Sequence, residues 1–157
     1  MNSNAGMGAA GRLRWFGYLV LATQTFFGAW FLIHGLNYFL EFFRQPPGGS
    51  GLSHEFIGIM IKSGLFAWIK AIEVLIGLLL LSHRFVPLAV VAAFPITLVI
   101  VYVNFFMNRD TFGVVAGSVT LAANTLLASG YLEAYSSMLA YKAGLPSARG
   151  VLNALSH

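Results

Sequence analysis

Two ionisable residues, Lys70 and Glu73, lie within the otherwise apolar sequence IKAIEVLIG. Their i,i+3 spacing places both side chains on neighbouring turns of one helix face. On a continuous helix Lys62 would also lie within roughly 20° of Glu73 around the axis, although it suits interfacial snorkelling as well. An isolated charge in mid-bilayer costs about 2.5–3.5 kcal/mol, so such residues face protein or a cavity and find partners. We therefore predict a Lys70–Glu73 ion pair, which either fixes helix packing or handles protons and anchors a ligand.

One histidine, His34, lies in the apolar sequence FLIHGLNYF, and Asn37 follows about one turn later. An imidazole can bind haem iron, a chlorophyll magnesium or a quinone carbonyl. A bis-histidine haem would need a second buried histidine. The remaining histidines fall in predicted loops or at the chain end: His54, His83 and His157. His34 is thus interpreted either as a polar packing or cavity residue, together with Asn37, or as a ligand.

Other polar or structure-breaking residues mark the later apolar stretches. Asn104 and Asn124 are predicted to be buried amides that hydrogen-bond across helices. Pro95 should bend its helix and free a carbonyl, a common feature beside membrane cavities. Gly113 and Gly117 have the GxxxG spacing of a close helix-packing face.

The elements that must position these residues are membrane helices. Of the 157 residues, 58% are hydrophobic and 9% charged, whereas soluble domains carry roughly 25% charged residues. In water such a chain would expose much apolar surface at about 25 cal/mol per Å². The bilayer is therefore predicted to be the main partner of this chain.

Several function classes are excluded by residue type. The chain has no cysteine, so thiolate chemistry and cysteine-bound metals are ruled out. We find no phosphate loop, no HExxH and no plausible Ser/His/Asp arrangement, and we predict no metal site. The net charge of +4 comes from scattered basic residues, which argues against nucleic acid as a partner. At this length there is also no room for a separate soluble catalytic module.

Four apolar stretches each reach the roughly 20 residues that span a bilayer. They cover residues 15–43, 56–81, 87–107 and 112–132. The predicted fold is all-α, a bundle of four transmembrane helices. The predicted organisation is a flexible N-terminal tail (1–14), one transmembrane domain (15–141) and a C-terminal tail (142–157).

Basic residues in the short loops orient this bundle by the positive-inside rule. With the N-terminus inside, the cytoplasmic basic residues are Arg12, Arg14, Arg84, Lys142 and Arg149. Arg44 and Arg109 lie on the other side. Both termini are therefore predicted to be cytoplasmic, in a bacterial inner membrane.

The stretch WIKAIEVLIGLLLLSHRFVPLAVVAAFPITLVIVYVNFF, residues 68–106, resembles the DoxX-like family of small four-helix membrane proteins. Glu73, Gly77, Pro87 and Pro95 match that family's pattern, and GAWFLIHGLNYFLEFF is similar to its opening helix. The resemblance covers roughly residues 15–130. It implies a membrane fold and, through the namesake members, a subunit of a quinone-reducing thiosulfate oxidoreductase. Some relatives carry a histidine near the position of Asn104, so a metal or haem role at that position is not implied here.

The functional hypothesis is a small membrane subunit of a larger redox- or quinone-linked assembly, without its own catalytic centre. It implies partner subunits or a homo-oligomer, with a quinone as the possible cofactor. One alternative is a quinone oxidoreductase in which Lys70 and Glu73 manage protons and His34 binds the quinone carbonyl. Another is a small-solute transporter built around the same ion pair, which substrate-dependent flux would reveal.

Overall fold

The computed structural model describes residues 3–43, 51–136 and 138, with side chains from residue 14 onward. Throughout these ranges the regular structure is helical, which confirms the all-α prediction. The helices are α1 (Ser3–Leu40), α2 (Leu52–Lys62), α3 (Leu65–Leu81), α4 (Val86–Tyr102), α5 (Thr111–Gly130) and α6 (Leu132–Tyr135). A π-helical segment, Val103–Asn108, continues α4 directly.

Three helical segments of the described chain are long and apolar enough to cross a membrane. They are Arg14–Leu40, Val86–Asn108 and Thr111–Gly130. A fourth crossing results if α2 and α3 together count as one span. The structure thus supports an integral membrane protein with three or four crossings.

The prediction of one continuous second helix over 56–81 was wrong. The chain bends by 86° between α2 and α3, at Ser63 and Gly64. Gly64 adopts a φ of 78°, a left-handed conformation in which glycine has no Cβ penalty. Lys62 therefore belongs to a different helix from Glu73, is exposed, and does not share its face as the continuous helix would have required.

The N-terminal end is helical where a flexible tail was predicted. Helix α1 begins at Ser3, so helical structure extends through most of the residues predicted to be a flexible tail. At the other end α5 stops at Gly130 and the short α6 follows. The predicted C-terminal tail, 142–157, lies outside the described residues.

Four of these helices pack in a ring, with α1 against α3, α3 against α4, α4 against α5, and α5 against α1. The apolar core fills this ring with large side chains that are almost fully buried. Its largest members are Phe27, Phe31, Ile76, Leu80 and Leu127. The most extensive interface joins α1 to α3.

Glycines allow the backbones of α1 and α3 to touch. A Cβ at Gly77 would lie 2.6 Å from Leu32 N and 2.8 Å from Gly28 O, and a Cβ at Gly35 would lie 2.9 Å from Val74 N. Small residues at such positions let membrane helices approach closely and pack by van der Waals contact. Gly28 and Gly35 are seven residues apart and so share one helix face. This seven-residue spacing of glycines was not part of the GxxxG face predicted from the sequence.

A fully buried glutamine, Gln24 of α1, bonds to groups at the C-terminal ends of both α3 and α5. Its Nε2 donates to Leu80 O (2.8 Å) and to His83 Nδ1 (2.9 Å), and its Oε1 accepts from the Tyr131 hydroxyl (2.5 Å). Burial raises the pKa of Tyr131, so its hydroxyl remains a donor at neutral pH. Every polar atom of the Gln24 amide is therefore satisfied, a cross-link that the sequence analysis missed.

Gln24→Leu is expected to destabilise the protein by about 1–2 kcal/mol, because Leu80 O and the Tyr131 hydroxyl would lose a buried partner. Thermal unfolding in detergent, followed by circular dichroism, measures the loss. Thr25→Val is the matched control, since the exposed Thr25 hydroxyl bonds only to Leu21 O of its own helix. Equal melting temperatures for the two variants would contradict a structural role for Gln24.

Candidate functional site

A cavity of about 860 Å³ lies between α2, α3, the α4–π helix and the first turns of α5. A volume of this size accommodates a drug-sized ligand. Most of its walls are aliphatic, with Ile57, Met60, Ile69, Ile96, Val99 and Ile100 among the lining residues. The cavity is thus suited to a largely apolar molecule, and its few polar groups determine what else that molecule must carry.

The Lys70–Glu73 ion pair forms part of this wall. Lys70 Nζ lies 2.8 Å from Glu73 Oε2, and the two side chains are only 12% and 7% exposed. Lys70 Nζ also sits 5.1 Å from the centre of the Phe66 ring, a favourable cation–π distance. The predicted pair is therefore present, and it presents both a cationic donor and an anionic acceptor beside the cavity.

The π-helical segment places Asn104 on the cavity wall. Arg109 N–H donates to Asn104 O at 3.0 Å, an i→i+5 hydrogen bond that closes a π-turn, and π-helical turns are frequent at functional sites. The predicted cross-helix hydrogen bond of Asn104 was wrong, because its Nδ2 donates to Ile100 O of its own helix at 2.8 Å. An amide on a helix can bond to the carbonyl one turn earlier, and this local partner is the one Asn104 uses.

Two further polar residues, Asn108 and Asp110, line the same end of the cavity. Asp110 caps α5, since its Oδ2 accepts from Gly113 N–H at 3.1 Å, and Asn108 donates to its other oxygen. Neither residue was predicted from the sequence to line a cavity. The signal available was an aspartate directly before an apolar helix, the usual N-cap pattern.

The two glycines of the predicted packing face, Gly113 and Gly117, are buried against the α4–π helix. A Cβ at Gly113 would overlap Asn104 Oδ1, and one at Gly117 would lie 3.6 Å from Val101 Cα. Gly113 also lines the cavity. These glycines bring the first turns of α5 close to Asn104 and so help to shape the polar end.

Pro95 lies within α4 and lines the cavity. The buried Asn124 of α5 bonds to residues of α4 on both sides of this proline. Asn124 lies 3.0 Å from Thr97 Oγ1, which agrees with the predicted cross-helix hydrogen bond. In the amide orientation that satisfies both its ends, Asn124 Oδ1 accepts from the Thr97 hydroxyl and from Phe94 N–H (3.3 Å), and Nδ2 donates to Val90 O (3.2 Å). The amide therefore bonds to the backbone of the helical turn that precedes Pro95.

His34 and Asn37 do not belong to the cavity walls. The His34 ring packs 4.2 Å from the Trp30 ring and 5.6 Å from the Phe43 ring, centre to centre. Asn37 donates to Phe43 O (2.9 Å) and accepts from Phe43 N–H (2.8 Å), so it closes the turn after α1. His34 therefore does not line the cavity beside Lys70 and Glu73, and the hypothesis that all three bind one ligand stays a prediction.

Comparison with protein-family models, curated proteins and solved structures gives no match for this chain. The DoxX-like resemblance of residues 68–106 accordingly stays a prediction.

Proposed function

We propose that this protein is a small membrane subunit that binds a quinone in the cavity and exchanges electrons through a partner protein. The observation that carries the proposal is the buried Lys70–Glu73 pair on the wall of an apolar cavity of about 860 Å³. Quinones combine a flat apolar ring with two carbonyl oxygens. The cavity offers aliphatic contacts to such a ring and a charged pair to its oxygens.

The ion pair suits both redox states of this ligand. A quinone carbonyl accepts hydrogen bonds, which the Lys70 ammonium can donate, and a quinol hydroxyl donates, which the Glu73 carboxylate can accept. Reduction of a quinone takes up two electrons and two protons. In our proposal a redox protein in the same assembly supplies the electrons, while Glu73 receives and delivers protons. With the proposed orientation, both termini in the cytoplasm, the polar end of the cavity lies in the opposite half of the bacterial inner membrane.

Filling the cavity should weaken this binding. Ile100→Trp is expected to weaken the binding of a short-chain benzoquinone by about tenfold or more, equivalent to ~1.4 kcal/mol or more, because the indole would occupy cavity volume. Leu98→Trp on the same helix is the matched control, since Leu98 is 57% exposed and lies outside the lining. Isothermal titration calorimetry in detergent gives both affinities. Equal affinities would refute the cavity as the quinone site.

Glu73→Gln tests the proposed proton role separately. Glutamine keeps the size of the side chain and a hydrogen bond to Lys70, but it does not take up protons near neutral pH. We expect quinone binding to persist and quinol-linked electron exchange in the native assembly to fall.

Purification in mild detergent should retain the partner chains, and a solitary monomer that is active alone would contradict the subunit proposal.

A second candidate function, solute transport, is favoured by the break between α2 and α3. Broken membrane helices commonly form substrate sites in transporters, and here the break lies next to the cavity-lining Met60 and Phe66. Flux of a small solute into proteoliposomes, abolished by Ile100→Trp but not by Leu98→Trp, would favour transport over quinone binding.

A further inference from the structure

A second concave surface adjoins the cavity on the face between α1 and α5. This groove, about 180 Å³ in volume, is lined by Phe27, Trp30, Val115 and Val119, among others. Phe112 and Ala116 line both the groove and the large cavity. The cavity and the groove are therefore neighbours, separated by a stripe of α5 that Phe112 and Ala116 form.

We infer that the ligand carries a hydrocarbon chain, and that this chain crosses α5 at Phe112 and Ala116 to lie in the groove while the head group occupies the cavity. The inference rests on the proposed function, because it assigns the chain of the same quinone. The ligand is then a lipid-soluble quinone with a long apolar chain, and not a small water-soluble quinone.

The residues that divide the two spaces suit the passage of a chain. Phe112 and Ala116 are four residues apart and so lie one above the other on the helix. The small side chain of Ala116 leaves a shallow depression between the cavity and the groove. Phe112 is 74% exposed, and its ring is free of tight packing on that side. A flexible apolar chain can follow this surface.

The chemistry of the groove suits hydrocarbon and excludes a polar head group. Its lining contains no charged residue, and its hydroxyl, that of Thr120, already donates to Ala116 O at 2.8 Å. The only charged side chains of the two lining sets, Lys70, Glu73 and Asp110, belong to the large cavity. The cavity therefore suits the head group of an amphipathic ligand, and the adjoining groove suits its hydrocarbon chain.

Trp30 provides an internal reporter, because it lines the groove while the other tryptophans, Trp15 and Trp68, do not. In a Trp15→Phe/Trp68→Phe variant in lipid nanodiscs, Trp30 fluorescence would be titrated with a decyl-benzoquinone brominated at the chain end. The unbrominated compound corrects for quenching by the ring. We expect additional, saturable quenching by the bromine. A Trp15→Phe/Trp30→Phe variant, which reports from Trp68, should show none.

The outcomes separate this inference from the proposed function. Saturable binding of the ring without additional Trp30 quenching would overturn the chain assignment and leave the quinone site intact. No saturable binding of either compound would refute both. Quenching by a brominated phospholipid that the quinone does not displace would assign the groove to bulk lipid, and so overturn the inference.

A second measurement avoids the tryptophan substitutions. Val119→Phe fills part of the groove at a residue that does not line the large cavity, and it should weaken the decyl-benzoquinone by about threefold or more, since the chain loses protein contacts while the membrane still offers it an apolar solvent. The same benzoquinone without a chain should bind Val119→Phe and the parent protein equally. Equal loss for both compounds would mean that the groove also holds the head group, contrary to the inference.

Discussion

Glu73→Leu is expected to destabilise the protein by about 3–5 kcal/mol, because Lys70 would then keep its charge in a site of low dielectric without a partner. The expectation follows from the 2.8 Å distance between Lys70 Nζ and Glu73 Oε2 and from the burial of both side chains. The double variant Lys70→Met/Glu73→Leu removes both charges and should recover most of that loss, since apolar replacement of a buried pair is often near neutral. The melting temperature in detergent should therefore be lower for the single variant than for the double one.

Leu75→Met on the same helix is the control, because Leu75 is 55% exposed and faces away from the ion pair. It should melt close to the parent protein. Equal losses for the single and double Lys70/Glu73 variants would show that the two charges act independently. No loss from Glu73→Leu would show that water in the cavity solvates Lys70 well enough to replace the carboxylate.

Gly77→Ala should have the second large effect. The added Cβ would lie 2.6 Å from Leu32 N and 2.8 Å from Gly28 O, both backbone atoms of α1. Backbone cannot move aside as the end of a side chain can, so α1 and α3 must separate. Overpacking of this kind costs about 1–3 kcal/mol, and it should also disturb the cavity, because Glu73 lies one turn away on α3.

Gly17→Ala is the matched control for this variant. Gly17 also lies in a spanning helix, but nothing lies within 4 Å of a Cβ built there. Both substitutions gain the same helix propensity, about 0.5–1 kcal/mol, so their difference in unfolding free energy isolates the contact with α1. Detergent unfolding curves for the pair provide that difference. Gly77→Ala as stable as Gly17→Ala would mean that the two helices are not in backbone contact.

The sequence alone was sufficient for the class of structure and for the ion pair. Apolar stretches of about 20 residues have few solutions other than membrane helices, and the spacing of Lys70 and Glu73 is local to one helix. Local geometry needs no knowledge of the neighbours. The hydrogen bond between Asn124 and α4 was likewise predictable in kind, since a buried amide must find a partner.

The break at Ser63 and Gly64 required the tertiary structure. Glycines occur inside many membrane helices without ending them, so Gly64 carries no sequence signal that separates a bend of 86° from a straight helix. After the bend, α2 packs against the π-helical segment as well as against α3. The prediction that Lys62 and Glu73 share a helix face assumed an uninterrupted helix, and the bend makes that prediction wrong.

Which polar residues share a site was also decided by the fold. His34, Asn37 and Glu73 were each predicted as polar groups within apolar stretches, but Trp30 and Phe43 pack against His34 while Asn37 closes a turn. Asn104, Asn108 and Asp110 reach the cavity because a π-turn and an N-cap bring them there. Periodicity places a side chain on a face of its own helix, whereas the partner of that face depends on how separate helices pack, and that information is spread over the whole chain.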